Sequence, residues 1–189
     1  MSSLTLFGAG SWGTALAVHL ASTGRDVTLW ARRPDAAARM QRTRRNPSYL
    51  PEIDLPEAVH VTADLEAAAG ASDLWALAVP SQNLRSVAER LRPFSRPEVS
   101  VVSLAKGIEN DTLRTMSQVL DEVLASVPAA RIGVLYGPSH AEEVAQGRPT
   151  TVVAAAPDES VAQDIQRAFM TERFRVYVNT DVIGVEIGG

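Results

Sequence analysis

The 189-residue chain contains no cysteine, which excludes disulfides, thiolate metal sites and a cysteine nucleophile together. An excess of positive charge is missing too. Eighteen Lys and Arg stand against 22 Asp and Glu, for a formal net charge of -4 and a pI of about 5.4. A nucleic-acid or anionic-membrane partner is therefore not expected, since either calls for a basic face. No stretch approaches the ~18 uninterrupted apolar residues of a membrane-spanning helix, so no integral membrane segment is expected. Met1-Ser-Ser leads directly into a strand-like segment, which is not the pattern of a signal peptide. A cytoplasmic protein is the resulting expectation. Linkers, low-complexity stretches, solenoid repeats and metal-ligand spacings are lacking as well. Lysine is nearly so: of 18 cationic residues only Lys106 is a lysine.

What is present is an ordinary globular composition, 46% hydrophobic and 21% charged. The length suits one large domain, or one domain plus a fragment of another, able to bury about two-thirds of its unfolded surface. Short apolar runs alternate with segments of helical spacing, the pattern of βαβ units on a parallel sheet. Strands are expected at Leu4–Phe7, Asp26–Trp30, Val59–Thr62, Asp73–Val79, Val99–Leu104, Ile132–Tyr136, Thr150–Ala154 and Phe174–Val178. Helices are expected at Thr14–Leu20, Pro34–Arg44, Asp64–Ala69, Ser81–Leu91, Thr112–Leu124, from Ser139, and at Pro157–Met170. Asn46-Pro-Ser-Tyr-Leu-Pro51 reads as a loop. The expected fold is α/β, a Rossmann-like doubly wound, mainly parallel sheet over residues 1–178. Residues 179–189 read as the start of a connection, because Asp181-Val-Ile-Gly-Val-Glu-Ile-Gly-Gly189 is apolar and element-like without a polar tail.

Gly8-Ala-Gly-Ser-Trp-Gly13 fits G-x-G-x-x-G between the first strand and the first helix. Gly8 permits the tight turn, Gly10 lets backbone N–H groups approach a pyrophosphate, and Gly13 lets helix pack on strand. The helix N-terminus adds partial positive charge. At the end of the second strand an acidic residue would bind the 2′-hydroxyl of NAD, but Ala31-Arg32-Arg33 stands there. A guanidinium pairs with a 2′-phosphate, so NADP is preferred over NAD. Arg42, Arg44 and Arg45 read instead as surface charge. Trp12 either covers the phosphates or fills space between helix and loop.

Three further turns belong at the same sheet edge: Ala78-Val-Pro-Ser81, Ala105-Lys-Gly-Ile-Glu109 and Gly137-Pro-Ser-His-Ala-Glu-Glu143. In an arginine-rich chain, the isolated Lys106 suggests a compact ammonium placed at a small phosphate or carbonyl. Ser139 is expected to cap a helix, with Glu142 completing a capping box. His140 reads as a structural hydrogen-bonder rather than a general acid, and His19 and His60 are given no chemistry. Glu142 and Glu143 point differently on a helix and form no acid/base pair.

Taken with Leu29-Trp-Ala-Arg32, Asn46-Pro-Ser-Tyr-Leu-Pro51, Val144 and Phe174-Arg-Val-Tyr177, these blocks resemble the N-terminal half of the bacterial-type NAD(P)-dependent glycerol-3-phosphate dehydrogenases. The resemblance implies hydride transfer between NAD(P)H and dihydroxyacetone phosphate, giving sn-glycerol 3-phosphate for phospholipid synthesis. It implies cofactor contacts from Ser11, Trp12, Arg32, Arg33 and Ala141, with Lys106 near cofactor and substrate and with Gly137 and Ser139 lining the substrate site. It allows a homodimer in the full-length enzyme. The family's acid/base lysine falls just after the Gly-Gly at which this chain stops, and its helical C-terminal domain is absent here. Two alternatives remain at this point: a related two-domain dehydrogenase or ketoacid reductase, and a non-catalytic NADP-binding module.

Overall fold

A computed structural model describes residues 3–189. β1 (Leu4–Phe7) lies inside an eight-stranded sheet. It is buried along its whole length, which is why it reads as an unbroken apolar run rather than an alternation. The period of two nevertheless divides its side chains between the faces. Leu4 and Leu6 join one core with Leu16, Leu20, Leu29 and Phe174. Phe7 joins the other with Trp30, Trp75 and Leu77, its ring 6.2 Å from Trp30 and 5.6 Å from Trp75. Thr5 is buried and donates from Oγ1 to the Ala68 carbonyl.

The chain continues through α1 (Ser11–Ala21), β2 (Val27–Trp30), α2 (Pro34–Thr43), β3 (Arg45–Asn46), β4 (Leu50–Asp54), β5 (Val59–Thr62) and α3 (Leu65–Gly70). β6 (Leu74–Leu77), α4 (Ser81–Leu91), β7 (Ser100–Ser103), α5 (Met116–Val123) and β8 (Ile132–Tyr136) follow. The described chain finishes with α6 (Ala141–Ala145), β9 (Thr150–Ala155), α7 (Glu159–Phe169), β10 (Phe174–Asn179) and α8 (Val182–Gly188). The sheet order is β10-β9-β8-β7-β6-β1-β2-β5. From β1 the chain winds one way to β2 and β5, then returns to β6 and winds the other way. The switch point therefore lies between β1 and β6, where a ligand crevice opens beyond the carboxyl ends of the strands.

The sheet is mainly parallel, as expected, and the structure adds or moves several details. β8 and β9 pair antiparallel, whereas the other pairs in the sheet are parallel. The connection is short, only five of its residues forming a helix, and lies near the lower limit of about a dozen residues for a parallel crossover. The loop at residues 46–51 instead begins a small antiparallel hairpin of β3 and β4. α5 starts later than expected, at Met116. The capping box is on this helix, with Thr115 and Gln118, not on Ser139 and Glu142. His140 occupies the N-cap of α6 without a side-chain capping bond, while Ser139 Oγ turns back to the Gly137 carbonyl at 3.4 Å.

α8 packs on the sheet through Val182 and Val185, against Val134, Tyr136 and Ala155. Its buried Glu186 accepts from Ser117 N at 2.9 Å and Ser117 Oγ at 2.6 Å.

Candidate active site: a cleft at the switch point

The cleft has a volume of about 640 Å3 and opens at the carboxyl ends of the central strands. Its floor is the glycine loop. Gly8 has φ +120, and a Cβ there would lie 2.4 Å from the Ala78 carbonyl oxygen, so only glycine fits between β1 and β6. A Cβ on Gly13 would meet the Gly8 carbonyl oxygen at 1.9 Å, because α1 rests directly on the end of β1. Gly10 is different: nothing lies within 4 Å of the place its Cβ would take. The first two glycines are required by the protein's own packing, whereas the third leaves open the face where a ligand would approach. A pyrophosphate fits this donor set, since Gly10 caps α1 and the first N–H groups of that helix have no intrahelical partner.

One wall comes from β2 and α2. Arg32 and Arg33 are exposed at the cleft edge, and among the described residues neither makes an ion pair. Arg44 is otherwise engaged. It sits in the left-handed region at φ 54, and its guanidinium donates to the carbonyls of Leu55, Pro56 and Val59. Arg45 pairs with Asp54 at 2.6 Å. Both are hairpin fasteners. Trp12 lines the cleft and packs with its ring 6.5 Å from that of Phe174.

The opposite wall carries Lys106, Ser139 and Ala141. Lys106 Nζ donates to the Gly137 carbonyl at 2.6 Å, so the ammonium spans from the end of β7 to the end of β8. The loop that carries it is fixed from α4. Gln82 Nε2 donates to the Ile108 carbonyl at 2.8 Å, and Gln82 Oε1 accepts from Asn110 N at 3.1 Å. Arg85 grips Glu109 with two bonds of 2.9 Å. Those bonds, with a further one from Thr112, hold the Glu109 carboxyl well below its ordinary range, at about 2. Beneath the loop, Tyr136 donates to the Ala105 carbonyl, and burial pushes its hydroxyl far above the ordinary phenol range.

Gly137 sits behind this wall. A Cβ there would lie 2.9 Å from the Thr151 carbonyl oxygen and 2.9 Å from Val152 Cα, so it serves as the close contact between β8 and β9 and offers the cleft its carbonyl through Lys106. His140 is exposed and outside the cleft lining, as are Glu142 and Glu143. His19 is buried against Phe174 and Thr171; burial and, secondarily, Arg25 push its pKa down to about 4. Sequence reasoning missed Asn46, Tyr49 and Met40, which line the cleft from β3, the hairpin turn and α2. No periodicity marks Asn46 and Tyr49, which reach the cleft through the hairpin, whereas Met40 lies on the buried face of α2 with Ala37. Among the described residues no group of acidic or histidine side chains is arranged to hold a metal, and no helix is long and apolar enough to cross a membrane.

Residues 3–162 match the family model of the NAD-dependent glycerol-3-phosphate dehydrogenase N-terminus. The chain belongs to this family. It is 72% identical over 188 residues to glycerol-3-phosphate dehydrogenase (NAD(P)+) 2 of Salinibacter ruber, an alignment covering all of this chain and 55% of that protein. It is 48% identical over 186 residues to the corresponding enzyme of Chlorobium phaeobacteroides, covering 98% of this chain and 56% of the relative. The glycerol-3-phosphate dehydrogenase crystal structure from Coxiella burnetii superimposes with a TM-score of 0.92 at 35% identity, over all of this chain and 57% of that one. The chain thus spans about 55% of the length of such relatives, and it is the dehydrogenase family's N-terminal, dinucleotide-type half.

Proposed function

We propose that this chain is the cofactor-binding part of an enzyme that transfers a hydride between NADPH and C2 of dihydroxyacetone phosphate, giving sn-glycerol 3-phosphate. The observation that carries the reading is the pairing of two features across one cleft. The Gly10 face is left open at one end, and the Lys106 ammonium is held over the Gly137 carbonyl at the other. When bound, the nicotinamide supplies or takes up the hydride. The chain's own groups do the rest. The glycine loop and the N-terminus of α1 bind the pyrophosphate, and Arg32 and Arg33 read the 2′-phosphate in preference to a bare hydroxyl. Lys106 stabilises negative charge at the substrate carbonyl oxygen. Ser139, beside it, contributes a hydroxyl to the substrate end, and Ala141 closes the cofactor wall.

The proton donor is assigned to the part of the relatives beyond the length matched here. Among the described cleft residues, Lys106 is the single ammonium, and its role in this reading is that of charge partner. Residues 1–178 then form the cofactor domain, and 179–189 begin the connection. A cytoplasmic setting and the NADP preference belong to the same proposal, the first on family resemblance and the second on Arg32 and Arg33.

The test joins NADPH titration with turnover. The purified 189-residue chain is expected to bind NADPH, read as a change in nicotinamide fluorescence. It is expected not to oxidise NADPH with dihydroxyacetone phosphate. A chimaera completed after Gly189 with the remainder of the Salinibacter ruber relative is expected to turn over. Turnover by the 189 residues alone would place the proton donor within them. A chimaera that binds NADPH yet stays inert toward dihydroxyacetone phosphate would sink the substrate assignment.

A further inference from the structure

We infer that Asn46 is a positioning residue for the phosphate loop, its buried carboxamide locking the Ala9–Gly10 peptide so that the Gly10 N–H is presented to the cleft. Asn46 is only 3% exposed. Its Nδ2 donates to the Ala9 carbonyl at 2.9 Å and to Thr14 Oγ1 at 2.8 Å, 37 and 32 residues away in sequence. The Ala9–Gly10 bond is trans, and in a planar trans peptide the C=O and the N–H point in opposite directions. Holding the Ala9 oxygen inward on Asn46 therefore turns the Gly10 N–H outward. Gly10 itself lines the cleft, and the place its Cβ would take is clear of other atoms to 4 Å.

The anchor behind Asn46 is firm. The hairpin is fastened by the three carbonyls that Arg44 engages, by the Arg45–Asp54 pair, and by the Tyr49 N–H donating to the Asn46 carbonyl at 3.2 Å. The loop is held at its two ends, by the Gly8 N–H donating to the Trp30 carbonyl and the Thr14 N–H donating to the Gly10 carbonyl, both at 3.0 Å, but not at the Ala9 carbonyl between them. Gly8, Ala9 and Gly10 belong neither to β1 nor to α1, so without Asn46 the Ala9 carbonyl would have neither a sheet nor a helix donor. The Ala9–Gly10 peptide rotates through Ala9 ψ and Gly10 φ, and glycine leaves the second of these angles permissive. Two side-chain bonds from a rigid hairpin remove that freedom before a ligand arrives, so the loop need not be ordered on binding. The two ends of the peptide also communicate: an anion on the Gly10 N–H polarises the unit and strengthens the bond that the Ala9 oxygen accepts.

This inference rests on the dinucleotide reading, and the experiment separates the two. Asn46→Leu keeps the volume and removes the donor. Titrations with adenosine, ADP and NADPH then isolate the diphosphate contribution. In the unaltered chain ADP is expected to bind more tightly than adenosine. In Asn46→Leu, ADP and NADPH are expected to weaken at least tenfold while adenosine stays within twofold. Failure of the unaltered chain to bind ADP or NADPH would overturn the dinucleotide reading, and this one with it. A variant that keeps its ADP affinity, or loses ADP and adenosine equally, would overturn the role of Asn46 alone. Should Asn46→Leu not fold, the unaltered chain decides through NMR. The Asn46 side-chain amide resonance is expected to move on adding ADP and stay fixed on adding adenosine, and no movement with bound ADP would overturn the proposal.

Discussion

Lys106 Nζ lies 2.6 Å from the Gly137 carbonyl oxygen, a bond between the ends of β7 and β8 that places the chain's only lysine at the wall of the cleft. The contact draws on one of the three protons of the ammonium and leaves the others for a ligand. Truncation with Lys106→Ala in the completed chimaera is expected to lower turnover with dihydroxyacetone phosphate by about 100-fold or more, the scale of losing a preorganised charge partner. NADPH affinity of the 189-residue chain should stay within about threefold, because the glycine loop and Arg32 are untouched. Initial rates and fluorescence titration measure the two, and unchanged rates would remove Lys106 from the chemistry.

The glycines of the loop should separate packing from binding. In Gly13→Ala the new methyl meets the Gly8 carbonyl oxygen, so α1 must move off β1. Stability should fall by about 1–3 kcal/mol, as for other overpacked sites, and NADPH binding should fall with it. In Gly10→Ala the methyl enters open space. Its melting temperature should stay within about 2 °C of the parent's, a stability change of a few tenths of a kcal/mol. NADPH should weaken at least about tenfold, a loss of ~1.4 kcal/mol. A Gly10→Ala chain that binds NADPH normally would show that no phosphate approaches that face.

Arg32→Ala combined with Arg33→Ala addresses the choice of cofactor. Both side chains are exposed, so their loss should cost little stability. Each charged hydrogen bond to a 2′-phosphate is worth about 1.5–3 kcal/mol. NADPH should therefore weaken by about tenfold to a hundredfold, while NADH stays nearly level. Equal losses for the two cofactors would show that these arginines do not read the 2′-phosphate.

Acid sensitivity should follow from His19. Its pKa in the folded chain is about 4, below the ordinary 6.5, because burial disfavours the imidazolium. The unfolded chain takes up this proton at higher pH than the folded chain does. The contribution to stability is thus complete above about pH 6.5 and is lost as pH falls toward 4. It amounts to at most about 3 kcal/mol. Denaturant melts of the parent should weaken between pH 7 and pH 4.5. A chain with His19→Gln should show a shallower decline over the same range, and parallel declines would exclude His19 as the source.

Much of the architecture was legible from spacing alone. Leu4–Phe7, Ile132–Tyr136 and the other short apolar runs are strands because a sheet covered on both faces demands continuous apolar segments. The glycine loop was recognisable because its constraints are local. Gly8 must turn and Gly13 must admit a helix, both within a few residues of β1, although Gly8 also meets the distant Ala78 carbonyl. Arg32 and Lys106 could be named since each ends a strand, and strand ends in such sheets share one edge. Errors arose where a local signal had two uses. Ser139 and Glu142 have the spacing of a capping box, yet the turn from β8 into α6 directs Ser139 to Gly137, and the box forms instead at Thr115 and Gln118.

The sequence by itself determined the α/β class and the place of the glycine loop, since these depend on periodicity and on backbone freedom at single positions. Only the tertiary structure decided the direction of β9, the place of Gly137 behind the cleft wall, and the meeting of Asn46 with Ala9. Each depends on how far an intervening segment reaches and on which buried polar group lacks a partner once the chain has closed on itself. Such a need does not exist until burial removes water from the group. No spacing of residues along the chain records it.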